Sequence, residues 1–470
     1  MTSPVRSPDL APGPFGFLRR FAVSLKLALI LFLALLLQVP LVLVHGLMEE
    51  RQRRQTEAVA EITQTWGADQ TLTGPILMVP YVTTTTSERN TIIDGRAVRS
   101  TEQRRDTGYV HILPEHLEIA GDLEPSTRKR GIHQAVVYRG TLKLSGRFGA
   151  PELQALELEA SALQWEKAWL ALAITDLRGS QQKLDLEWDG RRVSLEPGTR
   201  IEQLPSGLHG RLGLSADGTG ANAAFACTFS VNGSGSLRVV PVGKETLVTL
   251  SSPWPDPSFD GAFLPAERSV GDSGFSARWL ASYYGRNYPQ LWHSREEGAP
   301  ERFSQLQGSA FGVSLMRVVD NYRMVERAIK YGVLFIVFLF TAFFLFEVLC
   351  GLRLHSLHYL LVGAAMCLFY LALLSTSEFL PFALAYSASA LASTALIGGY
   401  CKSILHSGKR AWVVTTAVTL IYGLLFFILR MQDYALLVGS FTLFVALAFV
   451  MYSTRRVDWS GQFTPGESIK

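Results

Sequence analysis

The sequence predicts an α+β membrane protein with six transmembrane helices, one followed by five, and a large β-sandwich-like domain between the first and the second. Three observations predict it. Leu27–Val44 is an uncharged apolar run broken only by Gln38 and Pro40. Five more apolar runs crowd the end of the chain: Tyr331–Phe346, Tyr359–Ser377, Pro381–Cys401, Ala411–Leu429 and Ala435–Tyr452. Between the two groups lies a long polar stretch whose apolar residues alternate with period two. A bilayer core needs roughly 17–25 mainly apolar residues per helix, and the shortest run, Tyr331–Phe346, extends through Val348-Leu349-Cys350 beyond Glu347.

Composition agrees. The 470 residues are 48% apolar and 18% charged, against about 25% charged in soluble proteins. Mean hydropathy is +0.19. The net charge of +4 comes without a basic tract interleaved with aromatics, so nucleic acid is not an expected partner. Four cysteines exclude a disulfide-rich scaffold.

Residues 1–26 read as a cytoplasmic N-terminus and 27–47 as the first transmembrane helix. That apolar run exceeds a signal-peptide core and is followed by Leu47-Met48-Glu49-Glu50-Arg51 rather than a small-residue cleavage site, so a retained signal anchor is expected. Lys and Arg set the orientation. Arg6, Arg19, Arg20 and Lys26 precede the first helix, Arg353 and then Lys402, Lys409 and Arg410 occupy alternate short loops, and Arg455 and Arg456 open the tail. The other short loops hold Glu378, and Arg430 against Asp433. The positive-inside rule then places both termini in the cytoplasm and residues 48–330 outside. Arg51, Arg53, Arg54, Arg323, Arg327 and Lys330 flank the outer side, but long translocated domains largely escape the rule. Residues 331–452 form the five-helix bundle and 453–470 a cytoplasmic tail.

The outer domain is β-rich. In Gln134–Phe148, Val136, Tyr138, Leu142, Leu144 and Phe148 share one parity, which marks strand with one buried face. In Lys183–Glu196 the Asp189-Gly190 pair forms a two-residue loop, setting Trp188 opposite Arg191, Leu186 opposite Val193 and Leu184 opposite Leu195. Phe225, Cys227, Phe229 and Val231 repeat the alternation, and further turns fall at Asn232-Gly233, Asp94-Gly95 and Asp260-Gly261. Many short strands with spaced turns predict one or two sandwiches. Glu49–Trp66 reads as a helix continuing the first span. Pro151–Trp165 reads as a helix or an irregular crossing between β halves. Val318–Lys330 reads as a helical stalk entering the second span. The charged stretch Ser87–Asp106, after four threonines, reads as a mobile loop.

Chemistry is sparse. Gly271-Asp272-Ser273-Gly274 resembles a serine-protease nucleophile stretch, but Phe275 follows and no triad partners are recognisable, so it reads as a tight turn before a strand. No Walker A loop, G-x-S-x-G elbow or H-E-x-x-H occurs. His111 and His116 bracket Pro114 and read as a turn or strand end, with a metal site the alternative; Cys227 reads as a core thiol. No metal or cofactor is implied. Glu347 and Glu378 stand out. Glu347 lies about 24 Å along the second span at 1.5 Å per residue. A carboxylate at membrane depth is a functional candidate, with pairing to Arg353, Lys402 or His358 the structural alternative. Glu378 follows Ser377 near the outer surface and reads as a loop carboxylate. Ala385, Ser389 and Ser393, and Ala388 and Ala392, form small-residue stripes suited to bundle packing, with a homo-oligomer or a lined cavity as alternatives.

Several stretches together resemble the inner membrane protein CreD family (cell envelope integrity protein CreD), from the first membrane helix to Asp458-Trp459. They are Thr73-Gly74-Pro75 before Val79-Pro80, Leu113-Pro114-Glu115, Trp254-Pro255-Asp256-Pro257-Ser258-Phe259, Phe263-Leu264-Pro265, and Ser273-Gly274-Phe275 with Trp279. Arg327–Tyr331, Ala342–Glu347, Tyr359–Gly363, Phe369-Tyr370 and Ser377-Glu378 continue them in the helical part. The family commonly shows His-Pro where this chain has His355-Ser356. The resemblance implies a bacterial inner membrane protein linked to envelope integrity and to antibiotic or bacteriocin stress. It also implies expression under a two-component system sensing nutrient state, and it brings no catalytic residues.

The leading expectation is a non-enzymatic envelope protein. Its β-domain binds an unknown periplasmic or envelope partner through strand edges or the loop carrying Trp254 and Phe259. The alternative is a transporter or lipid-handling protein using Glu347, with Arg353, His358 and Glu378 as further candidates. A membrane hydrolase has the weakest support.

Overall fold

The computed structural model describes residues 22–93, 96–156, 158–178, 185–315, 321–350, 352, 354–431 and 434–455. They form two compact units, one of residues 55–318 and one combining the flanking segments.

The first unit is built on strands. β1 (Gln70–Ile93) and β2 (Arg96–Ile112) make a long hairpin, followed by the hairpin β3 (His116–Arg130) and β4 (His133–Arg147). Three 3-10 turns cross 153–167, so the expected helix there is the irregular crossing. Then come β5 (Trp169–Ile174), β6 (Asp185–Trp188), β7 (Arg191–Ser194), β8 (Glu196–Pro197), β9 (Gly207–Arg211) and β10 (Ala224–Ser234). β11 (Ser236–Val240), β12 (Glu245–Ser252), β13 (Ser258–Gly261), β14 (Glu267–Gly271), β15 (Gly274–Ser282), β16 (Leu291–His293) and β17 (Phe311–Ser314) complete the set.

They pair into two sheets. One runs β13-β17-β11-β1-β5-β9-β8, with β2 on the far part of β1 and β16 beside β2; the other runs β14-β15-β12-β3-β4-β10-β6-β7. β1–β11 and β12–β3 are parallel and the other pairs antiparallel. Apolar side chains of both sheets share one core, with Tyr81, Tyr138, Phe148, Phe229, Trp279 and Trp292 all below 2% exposed. The alternating pattern explains this: β15 buries Phe275, Ala277, Trp279 and Ala281 and exposes the residues between.

The β6–β7 hairpin pairs Trp188 with Arg191 and Leu186 with Val193, and Asp189 and Gly190 take positive φ of 47° and 77°, as a two-residue loop requires. Leu184, Asp94 and Gly95 lie outside the described residues. In β4 the expected parity holds from Tyr138 to Phe148. Before it, Ala135 and Val137 are buried while Val136 is half-buried. Trp66 lies close there, under Arg128 (4.4 Å) and donating to the Tyr138 carbonyl (3.2 Å), so the strand is covered on its second face. The stretch Ser87–Asp106 corrects the expected loop: the β1–β2 ladder runs unbroken from Leu77↔Ile112 to Ile93↔Arg96. This charged stretch carries no apolar alternation to read, although its threonines favour strand.

The second unit is helical. α1 (Ala22–Leu36) passes through Leu37 into α2 (Gln38–Trp66), whose last turns belong to the β unit. Pro40 sits in the first turn of α2, where a missing N–H removes no helix bond. The short α3 (Ala299–Gly308) belongs to the β unit and packs Phe303 against His111 and Trp292. After it come α4 (Asn321–Cys350), α5 (Ser356–Ser377), α6 (Phe382–Leu405), α7 (Gly408–Arg430) and α8 (Ala435–Thr454). Among the described residues, six helical stretches, including one near the N-terminus, are long and apolar enough to cross a membrane. Of Val318–Lys330, residues 321–330 are the first turns of α4 and 318–320 lie outside the described residues. α1 meets α5 closely at Gly363, where a Cβ would fall 2.2 Å from Leu37 Cδ1 and 3.0 Å from Phe340. Ala385, Ser389 and Ser393 face the bundle, and Ala388 and Ala392 are exposed.

Candidate functional site

The two sequence-marked carboxylates of the helical unit sit near opposite ends of the helices, and each meets a cation from the first segment. Glu347, in the last turn of α4, is 7% exposed. Lys26 of α1 forms a direct ion pair with it and also donates to the Leu354 carbonyl (3.0 Å). The Tyr359 hydroxyl donates to Glu347 Oε2 (2.9 Å), and the Leu354 N–H reaches Oε1 (3.3 Å). The partner is therefore a lysine 321 positions upstream, a distance no local spacing rule covers.

His358 instead hydrogen-bonds the Tyr400 hydroxyl (2.9 Å), and His355 caps α5 by accepting from the Leu357 N–H (3.2 Å). His355 thus caps α5 directly ahead of Ser356. Arg353 lies outside the described residues. An ammonium, a phenol and an amide N–H around one carboxylate make a closed charge pair. Its oxygens are engaged, and chemistry at Glu347 requires breaking those bonds.

At the other end, Glu378 closes α5 with its side chain 10% exposed. Arg51 lies 3.7 Å away and is 42% exposed, while the Tyr322 hydroxyl sits 3.4 Å from Oε1. Asn321 Nδ2 donates to the Ser377 carbonyl (2.8 Å), tying the start of α4 to the end of α5. The carboxylate read as a loop residue sits in the turn that follows α5, half-buried and met by two other segments. Sequence reasoning missed Lys26, Tyr359, Arg51 and Tyr322. Lys26 and Arg51 bracket the first apolar run as the acids bracket the later ones, and that symmetry was the available signal.

Between the two pairs, hydroxyls satisfy one another. Tyr386 donates to the Tyr422 carbonyl (2.7 Å), Tyr422 and Ser393 share a bond (2.8 Å), and Thr376 and Ser389 lie 3.3 Å apart. The buried Tyr370 hydroxyl has no hydrogen-bond partner among the described residues.

Trp254 and Phe259 are structural in their surroundings. Trp254 is half-buried against the β core with Nε1 donating to the Asp256 carbonyl (3.0 Å). Phe259 meets Phe275 and Trp279 edge-on, each at 5.7 Å. The Gly271–Gly274 stretch is the β14–β15 hairpin turn, with those two glycines paired. Cys227 is buried among core residues. Among the described residues no group of three or more His, Cys, Asp or Glu could hold a metal.

The comparisons with known proteins agree with this architecture. A family model described as inner membrane protein CreD matches residues 22–460. The chain is 34% identical over 426 residues to the inner membrane protein CreD of Escherichia coli (strain K12), covering 90% of this chain and 91% of that protein. The chain belongs to the CreD family.

Proposed function

We propose that this CreD-family chain is a multi-pass inner-membrane protein whose β unit faces the periplasm and serves the envelope as a non-enzymatic binding module, supporting tolerance of antibiotic or bacteriocin stress. The observation that carries the reading is the charge placement on the helices. Lys26 opens α1, Lys402 closes α6, Lys409 and Arg410 open α7, and Arg455 follows α8, all at helix ends of one sense. The positive-inside rule assigns that sense to the cytoplasm and the chain between α2 and α4 to the other side.

A transporter reading needs Glu347 to gain and lose a partner during its cycle. Its three donors favour a fixed tie between α1, α4 and α5.

Two experiments test the proposal. A reporter active only outside the cytoplasm, inserted at the exposed turn 215–218, is expected to be active. A cytosolic reporter overturns the sidedness. The paired replacement Lys26→Met with Glu347→Leu removes the charges while leaving apolar bulk, a change buried pairs often tolerate. Envelope-stress tolerance is expected to survive it; loss of tolerance with normal protein levels supports transport instead.

A further inference from the structure

The β unit also carries a polar groove of about 740 Å3, formed by the turn after β15, strand β16 and α3. Tyr283, Tyr284, Arg286, Asn287, Glu296 and Arg302 are among its walls. Arg302 lies against Glu296 at 3.3 Å, so those charges offset each other.

Arg286 differs. Its guanidinium lies over the rings of Tyr283 and Tyr288, 5.3 and 4.8 Å from their centroids. Nη1 donates to the carbonyls of Pro241 (2.9 Å) and Val242 (3.0 Å), and Nη2 to the Gln290 side-chain oxygen. Nε is buried and makes no hydrogen bond, and no carboxylate lies within ion-pair distance among the described residues. Burial pulls its pKa below the usual guanidinium value, the mark of a cation short of counter-charge.

The groove's charge balance is thus one unmatched positive. The mouth adds a flat apolar face and a fixed polar group: Tyr284 is 95% exposed, with Tyr283 edge-on at 5.8 Å, and Asn287 is exposed beside them. An unmatched guanidinium attracts an anion, and with Nη1 donating twice, Nη2 once and Nε occluded, one Nη2 hydrogen remains for a carboxylate oxygen. An open aromatic face next to amide donors suits a ring with a C–H face and a polar rim. A pyranose carrying a carboxylate combines both.

We propose that this groove binds a carboxylate-bearing saccharide, the acid group drawn to Arg286 and the sugar ring stacked on Tyr284. The proposal rests on the binding-module reading. Its test uses purified protein, so a wrong ligand and a wrong sidedness give different failures.

The full-length protein in detergent is titrated with the disaccharide N-acetylglucosaminyl-N-acetylmuramic acid, with chitobiose as the neutral counterpart and with inorganic phosphate, each followed by calorimetry. Saturable binding of the acidic disaccharide is expected, about tenfold or more tighter than chitobiose, as a charge-assisted contact implies. Tyr284→Ala and Asn287→Ala change exposed side chains and are expected to weaken it several-fold without moving the melting temperature. Arg286→Met is expected to abolish it. Because Arg286 also pins the 241–242 carbonyls, the two exposed variants keep the test decisive if that variant misfolds. Absence of saturable binding at millimolar disaccharide, equal affinity for chitobiose, full competition by phosphate, or wild-type affinity in Tyr284→Ala each overturns the proposal.

Discussion

The buried Glu347 and the half-buried Glu378 of the helical unit each meet a cation from a distant segment, Lys26 and Arg51. The β unit pairs its buried Asp176 locally, with Arg178 two positions on (2.8 Å), and among the described residues leaves several buried donors idle where the helical unit leaves His45 Nδ1 and the Tyr370 hydroxyl. His111 Nδ1, Trp279 Nε1 and Trp292 Nε1 are buried without a hydrogen bond among the described residues, and Arg286 is held by neutral oxygens and two tyrosine rings. In lipid there is no water to rescue an unpaired charge, so helices that cross a membrane must carry their compensation with them. A two-sheet core wins most of its stability from apolar area and can leave a few weak donors idle. The contrast predicts that the β unit fails through lost packing and the helical unit through lost pairing.

The largest effect that this contrast predicts is in the β core. Trp279 is fully buried, with Phe259 and Phe311 against it at 5.7 and 5.8 Å. Trp279→Ala is expected to cost about 3–5 kcal/mol, the range for deleting a large core ring. Denaturant unfolding followed by fluorescence checks it. A loss under about 1 kcal/mol would mean that packing does not dominate there.

Next is Glu347→Gln. Removing one partner of a buried pair typically costs 3–5 kcal/mol, and with Lys26 a quarter exposed the expected loss is about 2–3 kcal/mol. The Lys26→Met/Glu347→Leu double variant is expected to recover most of it. Melting in detergent distinguishes the two; equal losses would show that packing, not charge, holds this end.

Much of the fold was legible and much of the candidate site was not, for reasons visible in particular residues. Apolar length marked the spans, because a bilayer imposes a minimum. Alternation with an Asp-Gly turn placed Leu186 opposite Val193, because a two-residue loop leaves one register. The Ser87–Asp106 part of the β1–β2 ribbon was missed, since its charged sequence carries no apolar alternation. Lys26, Arg51 and Arg286 were missed because their partners are set by tertiary placement: Arg286 is adjacent in sequence to none of the three oxygens that hold it. The aromatic run Tyr283-Tyr284-Gly285-Arg286-Asn287-Tyr288 was the signal that could have found the groove.

A smaller effect follows from His111, stacked on Trp292 at 4.8 Å and edge-on to Phe303 at 5.3 Å. Burial lowers its pKa to about 4. Below pH 6.5 the unfolded chain therefore takes up a proton that the folded chain refuses. Stability from this residue is complete above pH 6.5, falls as the pH drops, and reaches its floor below about 4. At pH 5 the loss is about 2 kcal/mol. The difference between the pH–stability curves of wild type and His111→Phe isolates it from other groups. Parallel curves between pH 7 and 5 would show that His111 is not the acid-sensitive element.

The smallest effect sharpens the contrast within the helical unit itself. Glu378 and Glu347 look equivalent by burial, with side chains 10% and 9% exposed, yet their cations differ. Arg51 stands 3.7 Å away and is 42% exposed, so solvent screens the attraction and a flexible side chain must be ordered to make it. Lys26 is 25% exposed and is joined at the carboxylate by a phenol at 2.9 Å, whereas Tyr322 reaches Glu378 at 3.4 Å. Exposed pairs are worth about 0.2–1 kcal/mol. A double-mutant cycle of Arg51→Met and Glu378→Gln is therefore expected to give a coupling below about 1 kcal/mol, smaller than that of the Lys26–Glu347 cycle. If the two couplings are equal, the tight end and the loose end are energetically alike, and burial of the carboxylate rather than solvation of its cation governs what a helix-end pair contributes.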